Sequence, residues 1–91
     1  MKVIARPMGT GKTKELLEYA ATHNGQILTT DKRALQVKAN AYGINVEIIE
    51  PYDYFEGDYN TDKFIYVHKI EDVFQELLGD RIAGYSIRLE N

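Results

Sequence analysis

Apolar and polar residues follow two alternating periods along this chain. Lys2 to Ala5 is a short β-type run that ends at Arg6-Pro7. From Lys12 to Thr22 the period changes: Leu16, Leu17, Ala20 and Ala21 share one face at helical spacing, which predicts an amphipathic helix. Asn24-Gly25 stops it. Gln26 to Thr30 reads as a second strand, and Thr30-Asp31 offers a cap for a helix from Lys32 to about Tyr42, ended by Gly43. Val46 to Glu50 is a third strand, closed by Pro51, and Phe64 to Val67 a fourth. Val73, Phe74, Leu77 and Leu78 repeat the helical spacing, with Glu71 and Asp72 in the favourable first turn and Gly79 as terminator. Tyr85 to Leu89 alternates as a final strand. Tyr52 to Lys63 fits neither period and has room for one short helical turn followed by a loop.

This β-α-β-α-β-β-α-β order predicts one small three-layer α/β domain spanning residues 1–91. Its core would be a mostly parallel five-stranded sheet with helices on its faces. Strand twist makes the crossovers right-handed. Ninety-one residues, 44% hydrophobic and 11% aromatic, suffice for a compact globule. No apolar run approaches the roughly 18 residues that span a bilayer, and no charged-then-apolar leader is present. With no cysteine, disulfides and thiolate metal sites are excluded. A soluble, cytoplasmic protein without membrane contact is the expectation.

Charge changes the picture. Residues 1–38 carry seven bases and three acids, net +4, while residues 39–91 carry four bases and eleven acids, net −7. A basic first part suits a small anionic ligand and makes nucleic acid an improbable partner on its own. The chemistry to match stands where the first predicted strand meets the first predicted helix. Gly9, Thr10, Gly11, Lys12 and Thr13 supply what a phosphate loop needs: glycines that let amides converge on an anion, a helix start, a lysine and a hydroxyl. Lys12 would neutralise the β- and γ-phosphates and Thr13 would ligate Mg²⁺. The full candidate binding set is Met8, Gly9, Thr10, Gly11, Lys12, Thr13 and Lys14, with ATP or GTP and Mg²⁺ as cofactors and Thr13 as the metal contact. The first glycine of G-x-x-x-x-G-K-[ST] is replaced by Arg6, which either lies beside the phosphates or folds outward. Pro7 and Gly9 supply the turn that glycine would otherwise ease.

The stretch RPMGTGKTKELL resembles the first motif of thymidine kinases and of helicase-type P-loop ATPases. ILTTDKRALQ resembles the helicase segment after the second strand. FIYVHKIEDVFQELL falls where the Walker B strand stands, and AGYSIRL where the next core strand follows. The order is similar to that of small P-loop ATPase-like proteins of bacteriophages and related mobile elements. The resemblance implies a truncated ATPase core. In it the loop strand lies beside the last strand, the last strand lies beside Phe64–Val67, and the second and third strands extend the sheet outward.

The Walker B strand should end in an aspartate that holds Mg²⁺, and here it ends at His68-Lys69. Glu71 and Asp72, Glu50 and Asp31 are the nearby acids; dipole, cap or surface roles are expected for each. His68 reads as a solvated strand end, with phosphate contact or general base as alternatives. His23 would complement the C-terminal dipole of the first helix. Tyr52, Tyr54 and Tyr59 would cover the edge of a small core or stack on a base. The expected function is therefore nucleoside triphosphate binding with weak or absent hydrolysis. The alternatives are a non-enzymatic interaction module with a protein partner on a degenerate P-loop scaffold and, last, a kinase-like phosphotransferase.

Overall fold

The structure is a computed structural model that describes residues 11–79 and 86. The order is α1 (Lys12–Thr22), β1 (Gly25–Leu28), α2 (Lys32–Tyr42), β2 (Glu47–Ile49), α3 (Pro51–Phe55), β3 (Phe64–Val67) and α4 (Ile70–Leu78). The two long helices have the bounds that periodicity predicts. The described residues form a three-stranded parallel sheet, order β2-β1-β3, where the sequence predicts five strands. The predicted strands over 2–5 and 85–89 fall outside the described residues, apart from Ser86, which is exposed and not in a strand.

β1 is central, and all four of its residues are buried. Its register pairs Ile27 with Ile48 of β2 and with Tyr66 of β3. Strand alternation then divides the core in two. On one face Ile27 and Ile48 pack with Leu17 and Ala20 of α1, Leu35 and Ala39 of α2, and Val46. On the other, Leu28 and Ile49 pack with Val73 of α4, joined by Ile65, Val67, Leu77 and Tyr59. Among the described residues the architecture is thus three-layered, with α1 and α2 against one face of the sheet and α4 against the other. The connections from β1 to β2 and from β2 to β3 move in opposite directions along the sheet. Right-handed crossovers require such connections to use opposite faces; α2 lies on the Ile27 face, and Tyr59 of the β2–β3 connection packs on the Leu28 face accordingly.

Periodicity overestimates two helix faces. Ala21 is exposed, whereas Ala20 is fully buried. On α4 only Val73 is buried, and Leu78 is 56% exposed. The segment without a periodic signal contains α3, whose start is well specified: Pro51 sits in its first turn, Glu50 is the N-cap, and Glu50 and Asp53 form a reciprocal capping box.

The loop that follows α3 is held by a polar residue inside the sheet. Gln26, fully buried on β1, donates from Nε2 to the carbonyls of Asn60 (2.6 Å) and Lys63 (3.3 Å), and its Oε1 accepts the Asn60 N–H (3.3 Å). Asn24 adds a bond from Nδ2 to the Asp62 carbonyl. A buried amide must find such partners, because an unpaired one costs free energy of the order of a lost hydrogen bond. These bonds fix where the chain re-enters the sheet as β3. No described helix is long and apolar enough to cross a membrane.

At the start of β1 the sheet and α1 approach closely. A Cβ on Gly25 would lie 2.5 Å from the Tyr66 ring and 3.0 Å from the Ala20 carbonyl oxygen. Tyr66 is itself held edge-on against Tyr19. Gly25→Ala is therefore expected to destabilise the fold by ~1–3 kcal/mol through overpacking, read as a lower midpoint in urea or thermal unfolding. An unchanged midpoint would mean that the ring and helix yield freely.

Candidate functional site

The start of α1 is built by Gly11. Its φ of 79° and ψ of 16° lie in the left-handed region, which glycine enters without steric cost. Gly11 is the N-cap, its carbonyl accepts the Glu15 N–H at 3.0 Å, and it contributes no capping side chain. Lys12 and Thr13 are the first two helical residues, with Lys12 exposed and Thr13 half-buried. The structure thus brings Gly11, Lys12, Thr13 and Lys14 together in one helical turn. Met8, Gly9, Thr10 and Arg6 lie outside the described residues. Lys14 is engaged along its own helix: its Nζ is 3.7 Å from Glu18 and 5.6 Å from the centre of the Tyr42 ring. Lys14 thus reaches Tyr42, the last residue of α2.

A second group of polar residues gathers where the strands end. The Thr29 N–H donates to the Ile49 carbonyl and the His68 N–H to the Leu28 carbonyl, both at 3.0 Å, extending the ladder one residue past each strand. Their side chains meet: Thr29 Oγ1 and His68 Nδ1 are 3.0 Å apart, and the same Oγ1 accepts the Asp31 N–H at 3.2 Å. Thr29 is fully buried and His68 is 9% exposed. This corrects the expectation of a solvated strand-end histidine. Nothing in the local sequence announces the burial, because the partner stands 39 residues earlier in the chain.

Burial lowers the His68 pKa below the usual 6.5, and the cations of Lys69 and Lys38 add to the effect; Asp31 and Asp72 oppose it. The imidazole is neutral at physiological pH. The next residue, Lys69, has φ 55° and ψ 64°, a left-handed conformation that a non-glycine residue holds only when its surroundings impose it.

The remaining candidates fall into structural roles. Glu50 caps α3. Glu71 and Asp72 occupy the first turn of α4, and Asp31 is the N-cap residue of α2 but makes no side-chain cap bond. His23 stacks on Tyr19 with centroids 3.8 Å apart, and its Nδ1 lies 2.8 Å from the Tyr19 carbonyl oxygen at the end of α1, as the dipole argument expects. Tyr59 packs against the second core and stacks on Tyr54, whereas Tyr52 is 72% exposed and covers no core. Among the described residues no three His, Cys, Asp or Glu side chains converge as a metal site requires. An open groove of about 410 Å³, lined by Lys32, Arg33, Gln36, Val37 and Glu50, runs along α2 and includes none of the predicted loop.

Comparison with protein-family models, with curated proteins and with solved structures gives no match for this chain.

The lowered His68 pKa makes stability pH-dependent. The unfolded chain holds a proton on this imidazole up to about pH 6.5, while the folded chain takes it up only at lower pH than that, so the unfolded state binds more protons in the window below 6.5. Stability is therefore complete above that value and falls as pH drops through the window. Thermal midpoints measured downward from pH 7.5 should decline, with the decline blunted in His68→Gln. An identical slope in that variant would assign the effect to other groups.

Proposed function

We propose that the chain binds a nucleoside triphosphate, ATP or GTP with Mg²⁺, at the start of α1, with weak or absent hydrolysis. One observation carries this reading: a left-handed glycine at the N-cap leads directly into Lys12 and Thr13 as the first helical residues. The first amides of a helix have no intrahelical partner, and their dipoles favour an anion. An ammonium and a hydroxyl on the same turn are the side chains a phosphate–Mg²⁺ pair needs. Strand order adds support. The resemblance to helicase-type ATPases implies that the second and third strands extend the sheet outward from Phe64–Val67, and the described strands run β3, β1, β2.

Weak hydrolysis follows from the end of β3. Where such ATPases carry a metal-holding aspartate, this chain has His68, committed through Nδ1 to Thr29. Mg²⁺ prefers oxygen ligands, and losing electrostatic stabilisation of the transferring group costs orders of magnitude in rate. A second reading, a non-enzymatic interaction module on the same scaffold, is favoured by α3. That helix exposes Tyr52 (72%) and Phe55 (67%) on one short acidic segment where a protein partner would dock.

Titration of the full chain with ATP–Mg²⁺ should shift the amide signals of Gly11 to Lys14 saturably. Lys12→Ala should weaken that binding at least about tenfold, the scale of losing a charge-assisted hydrogen bond, with the fold intact by circular dichroism. Amide signals at residues 11–14 that stay still at millimolar nucleotide, with an unchanged melting temperature, would remove the nucleotide reading and leave the interaction module.

A further inference from the structure

Two stretches of opposite charge follow one another in the described chain. α2 carries Lys32, Arg33 and Lys38 and no acid, whereas residues 47–62 carry Glu47, Glu50, Asp53, Glu56, Asp58 and Asp62 and no base. Among the described residues, none of these side chains forms an ion pair. Like charges held side by side repel, so each surface is most stable against one of opposite sign.

The basic helix is also grooved. The open groove of about 410 Å³ along α2 is lined by Lys32, Arg33 and Gln36, with Val37 as its apolar part and Glu50, the N-cap of α3, beside them. Val37 is 64% exposed, so its side chain lacks apolar cover. A groove of this volume falls in the range of ~300–1,000 Å³ that admits a ligand with aromatic rings.

α3 presents such rings. Tyr52 and Phe55 stand three residues apart, which places them on one face of the helix, and both are largely exposed. Tyr54 is occupied elsewhere, stacked on Tyr59. Buried Pro51 and the Glu50–Asp53 capping box fix the start of α3, and neither Tyr52 nor Phe55 lines the groove of its own chain. The rings therefore face outward among Asp53, Glu56 and Asp58, and the groove is left open.

Glu50 belongs to both surfaces, lining the groove and capping α3, so the two adjoin. Adjoining surfaces of opposite sign can be self-complementary. Under a two-fold axis the acidic aromatic segment of each copy meets the basic groove of the other, and the contact closes on itself. We infer that the α2 groove and α3 form one surface for a second copy of this chain, with Tyr52 and Phe55 of each copy seated against Val37 and flanked by Lys32 and Arg33 of the other. Aromatic residues and arginine are the types that carry binding at protein interfaces. With two rings covered on each copy, about 1,000 Å² is buried, at the lower edge of stable interfaces. The dimer is accordingly weak and salt-sensitive. The inference rests on the interaction-module reading of α3, for which it names the partner, and needs no part of the nucleotide reading.

The test is sedimentation of the full chain from micromolar to millimolar concentration without nucleotide, at low and high salt, with amide signals followed over the same range. The expected result is a monomer–dimer equilibrium that weakens severalfold in high salt, with concentration-dependent shifts at Lys32–Val37 and Tyr52–Phe55. The double variants Lys32→Glu/Arg33→Glu and Glu56→Lys/Asp58→Lys should each stay monomeric. An equimolar mixture of the two should dimerise, because only the unlike pair restores opposite signs at both contacts. A chain that stays monomeric at millimolar concentration and low salt, a dimer indifferent to charge reversal, or species that grow beyond two copies would overturn the inference. If the monomeric chain instead binds an added Glu–Tyr copolymer through the same groove amides, the second copy is ruled out and the interaction-module reading stands with another acidic protein as partner. If it binds neither, both fall. The wild-type series decides the matter even where a charge-reversed variant fails to fold.

Discussion

Everything in this fold is referred to β1. It is the one described strand with a neighbour on each edge, and its side chains enter both cores. A parallel strand in that position satisfies its backbone on both sides and must be apolar or internally paired on both faces. Ile27 and Leu28 meet the first requirement, each facing one core. Gln26 meets the second by bonding backbone groups of the loop that leads to β3. The four residues of β1 thereby decide which helices cover which face and where the last described strand enters.

The same strand also determines the chemistry at its end. Thr29 continues the β1 ladder by one residue, and this places its hydroxyl against a histidine that continues β3 by one residue. Both backbones of the resulting pair are held in the sheet ladder, with Thr29 fully buried and His68 9% exposed. A histidine biased by burial toward its neutral form is the consequence. The left-handed backbone at Lys69 belongs to the same construction: the chain must turn sharply from the end of β3 into α4 on the far face, and it does so without a glycine.

The nucleotide reading rests on the physics of a helix start. Helix starts offer amides that the helix itself does not use, and a chain with a basic first part and an acidic remainder directs an anion toward some of them. At α1 the helix start is joined by an ammonium and a hydroxyl on the same turn. That combination suits a metal-bound polyphosphate. The absence of a carboxylate at the end of β3 is what separates nucleotide retention from rapid hydrolysis in this reading.

Local patterns in the sequence determined α1 and α2 to the residue and placed β3 correctly, because a helical face or a short apolar run depends only on near neighbours along the chain. Gly43 and Gly79 end their helices with positive φ, and Pro51 and Glu50 start α3, for equally local reasons. The helix start at Gly11 and Lys12 was legible in the same way. What the tertiary structure alone decided lies across long separations. Gln26 finds its partners 34 and 37 residues away and Thr29 finds His68 at 39, so no window of sequence could distinguish a buried, paired histidine from a solvated one. Strand order arises only when the chain crosses the sheet twice in opposite directions. Burial and pairing are properties of what the chain brings together, and that is settled by packing.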